Sequence, residues 1–61
     1  MNSAEVIRRL EAAGFALVSV RGSNHKYRHP DGRWTIVPHP KKDLGQGLVR
    51  KILRKDAGIE F

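Results

Sequence analysis

Cysteine is absent from this 61-residue chain, which excludes disulfides and thiolate-held metals. Three histidines are the only soft ligands left, and no carboxylate pair flanks them, so a structural metal site is not expected. Long apolar runs are missing as well. Nothing reads as a membrane span or a signal peptide, and the expected location is the cytoplasm. Acidic side chains are scarce: six Asp and Glu stand against twelve Lys and Arg, a formal net charge of +6. So small a chain has room for one domain, residues 1–61, with one small core. With a sequence pI near 10.6 it carries a strong positive field, and the expected partners are nucleic acid or an acidic protein. Composition alone also permits a merely basic domain with neither partner.

What is present reads as short elements with clear punctuation. Asn2 and Ser3 are N-cap residues, and Glu5 follows Asn2 at capping-box spacing. Val6, Ile7, Leu10 and Ala13 recur at helical spacing, and Gly14 can take the left-handed stop, so a helix is predicted over about 3–13. Residues 15–21 read as a strand, but Ala16, Val18 and Val20 alternate with Phe15, Leu17 and Ser19, so both faces are partly apolar. Gly22, Ser23 and Asn24 are turn chemistry, and a second strand is predicted over 25–28. His29-Pro30-Asp31-Gly32-Arg33 is a hairpin signal, with a third strand over 33–37 that Pro38 and Pro40 end. Tyr27 and Trp34 are expected in the core, His29 in the turn and His39 at the strand exit.

The last helix is predicted over 48–57, with Gly58 as its stop and Ile59 placed for an apolar contact. Asp43 with Gln46 forms a possible capping box, though Gly45 and Gly47 weaken a helix there. Leu48, Val49, Ile52 and Leu53 fall on one stripe, and Arg50, Lys51, Arg54 and Lys55 on the opposite one. Cations in a last turn also suit the helix dipole, so they do not by themselves indicate a ligand. The order α-β-β-β-α predicts an α+β fold: a two-layer sandwich with a three-stranded antiparallel sheet and two helices on one face.

The chemistry concentrates in residues 21–29, where two imidazoles and three cations surround a turn. Imidazole gives and takes protons near neutral pH, and phosphate needs cations, so the segment points to phosphodiester chemistry or phosphate binding. On a strand, His25, Tyr27 and His29 share one face while Lys26 and Arg28 share the other. Arg21, Lys41, Lys42 and the amides of Gly22 and Ser23 are therefore the better candidates for charge beside His25. Lys26, Arg28, Arg50, Lys51 and Arg54 complete the candidate RNA contacts. His39 is a further candidate proton carrier, with strand capping as its plainer role.

The ordered set Gly14-Phe15, Gly22-Ser23-Asn24-His25-Lys26-Tyr27, His29-Pro30-Asp31-Gly32, Val37-Pro38-His39-Pro40 and 48–59 resembles the HicA family of small bacterial toxins. The resemblance covers nearly the whole chain. It implies a fold like a double-stranded-RNA-binding domain and an mRNA interferase, a toxin of a type II toxin–antitoxin system. It also implies metal-independent endoribonuclease activity without cofactor and neutralisation by a HicB-type antitoxin. The expected state is a monomer alone and a hetero-oligomer with the antitoxin. One departure stands out: the family usually has Gly-Ser-His, and here Asn24 follows Gly22-Ser23. On one match His25 is the catalyst. On the other Asn24 occupies the catalytic position and the chain is a weakened or inactive form. A non-catalytic RNA-binding module of the same fold is the remaining alternative, since a pure binder needs the cations and not the imidazole.

Overall fold

The computed structural model describes residues 1–60. The elements are α1 (Ser3–Ala12), β1 (Ala16–Arg21), β2 (Asn24–Arg28), β3 (Trp34–Pro38) and α2 (Gln46–Arg50), the last continued directly by a π-wound segment, Lys51–Asp56. This is the predicted α+β order.

Asn2 starts α1 from an extended backbone, and its side-chain oxygen accepts the Glu5 amide at 2.8 Å, satisfying one of the free donors of the first turn. Val6, Ile7 and Leu10 point into the core. Gly14, at φ +97°, ends the helix, and the Phe15 amide returns to the Leu10 carbonyl at 3.0 Å. Phe15 is thereby buried ahead of the strand, which begins at Ala16.

The sheet is antiparallel in the order β1-β2-β3. Gly22 and Ser23 alone make the first turn, because Arg21 already pairs with Asn24; Asn24 opens β2 one residue earlier than predicted. Gly22 holds φ +60°, the left-handed conformation such a tight hairpin needs. Pairs directly opposite each other share a face. Leu17, Tyr27 and Thr35 form one row, and Val20, His25 and Val37 the next, on the side of the helices. Arg28 with Trp34, Lys26 with Ile36, and Asn24 with Pro38 face the other way.

Both α1 and the π-wound segment pack on β3. Tyr27, Thr35 and Val37 are buried beneath them, whereas β1 lies exposed along its whole length. Trp34 is 52% exposed, which corrects its expected place in the core: Thr35 and Val37 take the inward positions of β3, so the pleat turns Trp34 outward.

The final helix also differs from its predicted span. It starts at Gln46, and the Asp43 carboxylate accepts the Gly45 amide at 3.0 Å in a local turn instead of capping with Gln46. Val49, Ile52, Leu53 and Ala57 carry its buried stripe. At its end the Arg33 guanidinium donates to the Ala57 carbonyl, Gly58 turns left-handed at φ +67°, and the Ile59 amide returns to the Leu53 carbonyl at 2.7 Å. Thr35, fully enclosed, donates its hydroxyl to Asp56 at 2.9 Å and ties β3 to the same end.

Candidate functional site

His25 is the second residue of β2, half-buried on the helix side of the sheet. Its ring meets that of His39 edge to face, with centroids 5.0 Å apart and planes at 81°. His39 lies just past β3 and is held from two directions. Its backbone amide donates to the Ser23 carbonyl at 2.7 Å, so the Gly22–Ser23 turn is also the anchor of this second histidine. Its ring Nδ1 sits 2.7 Å from the Ser3 hydroxyl.

Ser3 is a polar residue 1% exposed in the first turn of α1, and the loop after β3 is built around it. Its hydroxyl accepts the Lys41 amide at 2.8 Å and donates to the Lys41 carbonyl at 3.2 Å, while its own amide donates to the same carbonyl at 2.9 Å. The Leu44 amide adds a bond to the Met1 carbonyl at 3.1 Å. These contacts fix the path of a loop whose Lys41 and Lys42 side chains are exposed. With Asn2, Ala4 and Pro40 they surround a shallow concavity against Ser3 and His39.

Asn24 occupies different ground. It faces the open side of the sheet, where it lines a second concavity with Arg21, Lys26, Ser19, Val20 and Ile36. Lys26 and Arg28 belong to that same face, and the Lys26 ammonium stands 4.5 Å over the Trp34 ring. The cations of the final helix, Arg50, Lys51, Arg54 and Lys55, form a third group around Gly47; within it Lys51 pairs with Asp56 at 3.3 Å. The candidate residues are therefore dispersed. His25, the Gly22–Ser23 turn, Lys41 and Lys42 gather around His39, while Arg21, Lys26 and Arg28 lie behind the sheet.

His29 is occupied by its own turn. Its ring packs edge-on against Phe15 at 5.2 Å, and Nδ1 accepts the Asp31 amide at 3.1 Å. Asp31 takes the Arg33 backbone amide at 3.0 Å and the guanidinium Nε at 2.7 Å, and these hold its carboxyl below the usual range. Burial, with Glu11 nearby, raises the Tyr27 phenol above its ordinary value.

Ser3 is the residue that sequence reasoning missed. It looked only like an N-cap, and its partner lies 36 positions away. Among the described residues no helix is long and apolar enough to cross a membrane, and no three His, Asp or Glu side chains cluster as a metal site. What the arrangement offers chemically is a pair of imidazoles beside a lysine-bearing loop. A protein-family model described as HicA toxin of bacterial toxin-antitoxin matches residues 3–59, a stretch that includes every helix and strand. Comparison with curated proteins finds no match.

Proposed function

Because the chain belongs to the HicA family of toxins from bacterial toxin–antitoxin systems, we propose that it is an endoribonuclease that cleaves mRNA without a metal and is silenced by a HicB-type antitoxin. RNA carries its own nucleophile, the 2′-hydroxyl, and an enzyme need only remove that proton, steady the charge on phosphorus and protonate the leaving oxygen. DNA lacks that hydroxyl, which accounts for a preference for RNA. In this reading His25 takes the proton. Lys41 and Lys42 supply charge from the loop, and the exposed face of the final helix holds the rest of the strand through its phosphates.

The observation that supports it most is the state of His25: a half-buried ring that makes no hydrogen bond within the described chain, so both nitrogens are free for a substrate, against His39, which shares a concavity with two exposed lysines. A ring committed to the core would have a backbone partner. The positive charge of the body also suits an acidic antitoxin laid over this face.

A second reading draws on Asn24. It shares its concavity with Arg21 and Lys26, so a histidine there would stand directly among cations. On that reading this chain is an attenuated toxin.

The test is cleavage of message by the purified chain in excess chelator. Fragments are expected from the parent, and a loss of about 10²–10⁴-fold from His25→Ala, the span of general acid–base help. If His25→Ala cuts at the parent rate, the assignment is wrong; if only added metal restores cutting, so is the metal-free mechanism.

A further inference from the structure

Cleavage through the 2′-hydroxyl needs two proton transfers, and one imidazole performs one at a time. The contacts around Ser3 mark out the second carrier. A hydroxyl has two lone pairs and one proton. The Ser3 oxygen accepts the Lys41 amide with one lone pair and gives its proton to the Lys41 carbonyl. The remaining lone pair is aimed at His39 Nδ1, 2.7 Å away. All three valences are used only if Nδ1 carries a proton and donates it to the serine. The opposite arrangement, with the serine proton directed at Nδ1, leaves one serine lone pair idle and the Lys41 carbonyl with the Ser3 amide alone.

With Nδ1–H held in this way, Nε2 is the nitrogen that can change state, and nothing on the serine side must move when it gains or loses a proton. This is the logic by which a fixed acceptor orients a catalytic imidazole. The other anchor, the His39 amide on the Ser23 carbonyl, keeps this ring beside His25. His25 has no such hold, and its acceptor nitrogen is free to take a proton.

We infer that His39 is the general acid of the cleavage and that Ser3 positions it; the inference rests on the endoribonuclease reading above. His25 removes the 2′-hydroxyl proton, the 2′-oxygen bonds to phosphorus, and the bond from phosphorus to the 5′-oxygen breaks. The 5′-oxygen leaves with the Nε2 proton of the His39 imidazolium. The products are a 2′,3′-cyclic phosphate and a 5′-hydroxyl, and the two rings return to their starting states by exchanging protons with water.

The experiment compares two oligoribonucleotides, one natural and one with sulfur in place of the bridging 5′-oxygen at the cut. Thiolate leaves without a proton, so the sulfur substrate does not need the acid. His39→Ala is expected to lose about 10²–10⁴-fold on the oxygen substrate and to regain most of that on sulfur. His25→Ala is expected to fail on both. His39→Gln, which keeps a polar group toward Ser3, is run beside it and should show the same oxygen-to-sulfur contrast. Ser3→Ala should shift the contrast in the same direction by a smaller factor. Equal loss of both substrates by both His39 variants, or parent-like cutting of the oxygen substrate, overturns the inference and leaves the nuclease reading standing. A parent that cuts neither substrate overturns both.

Discussion

Lys26 holds its ammonium 4.5 Å over the ring of Trp34, on the face of the sheet opposite His25. The two residues that follow one another in sequence are thus separated by the thickness of the sheet. Lys26 is engaged with an exposed aromatic, and the cations that share a concavity with His39, Lys41 and Lys42, come from a loop 15 and more residues downstream. Residues gathered by the turn, by Ser3 and by the strand exit surround the histidine pair, and the dense basic run of β2 faces away from it.

That separation predicts an order of effects. Lys41→Ala with Lys42→Ala should lower kcat/KM for RNA cleavage by about tenfold, near 1.4 kcal/mol, as expected for lost phosphate contacts at a solvated surface. Lys26→Ala should change it by a small factor only. Steady-state cleavage assays on the same oligonucleotide check this. The reverse order would place the reacting phosphate on the open face of the sheet, with Asn24.

The exposed cations of the final helix make a claim about salt. Each phosphate neutralised on a single strand contributes about 0.7 to the slope of log affinity against log salt. Arg50→Ala combined with Arg54→Ala should therefore flatten that slope by about 1.4 if both arginines contact phosphates. Fluorescence anisotropy with an uncleavable 2′-O-methyl RNA, titrated over a range of salt, measures it. An unchanged slope would assign those charges to the helix dipole and not to RNA.

Gly14→Ala should destabilise the fold. The position holds φ +97°, and an added Cβ would come within 3.0 Å of the His29 Nε2 while that ring is packed against Phe15. Backbone strain of this kind costs roughly 1–3 kcal/mol. Each kcal/mol lowers the Tm of a domain this size by about 4–8 °C. Gly22→Ala is the control, because a Cβ there meets nothing within 4 Å and only the left-handed φ of +60° is penalised. Thermal melts of the two variants should rank Gly14→Ala as the more damaging.

The aspartates set the acid limit of stability. Asp31 is held low first by the Arg33 backbone amide, and Asp43 by the Gly45 amide and then by the N-terminal ammonium. A carboxyl whose folded value lies below its unfolded value contributes stability above the unfolded pKa of about 3.9 and loses it as pH falls through the folded value. Tm should therefore be flat through neutral pH and fall below about pH 4. Asp31→Asn should make that fall shallower while lowering Tm at neutral pH. Melting curves across the acid range test the sign. Tyr27 has the opposite sense: its raised value means stability is lost only as alkaline pH passes through it.

The parts of this fold that were legible in the sequence are those with local causes. A cap, a spaced apolar stripe and a glycine stop mark α1, and its aromatic character places Tyr27 inside. Where several neighbours decide, the sequence was ambiguous. β1 showed two half-apolar faces, and the structure supplies the reason: the strand lies exposed along its whole length, so no face is selected by burial. Trp34 was misplaced because size suggested burial, whereas the register of β3 gave the inward positions to Thr35 and Val37. The link from Ser3 to His39 had no local signal, since a buried hydroxyl declares its partner only when the chain has closed around it.

The identity of the histidine position can be settled by substitutions at two neighbouring residues. Asn24 and His25 are neighbours whose side chains leave opposite faces, the first toward Arg21, Lys26 and Ile36, the second toward His39. If His25 is the base, Asn24→His adds an imidazole where no second ring stands, and toxicity on induction should stay near that of the parent while His25→Ala abolishes it. If position 24 is the catalytic one, the parent should be harmless on induction without antitoxin, Asn24→His should arrest growth, and His25→Ala in that background should retain the arrest. Growth curves and message decay for the parent, the two single variants and the double separate these outcomes, because the two faces of one strand cannot both present the reacting group to the same phosphate.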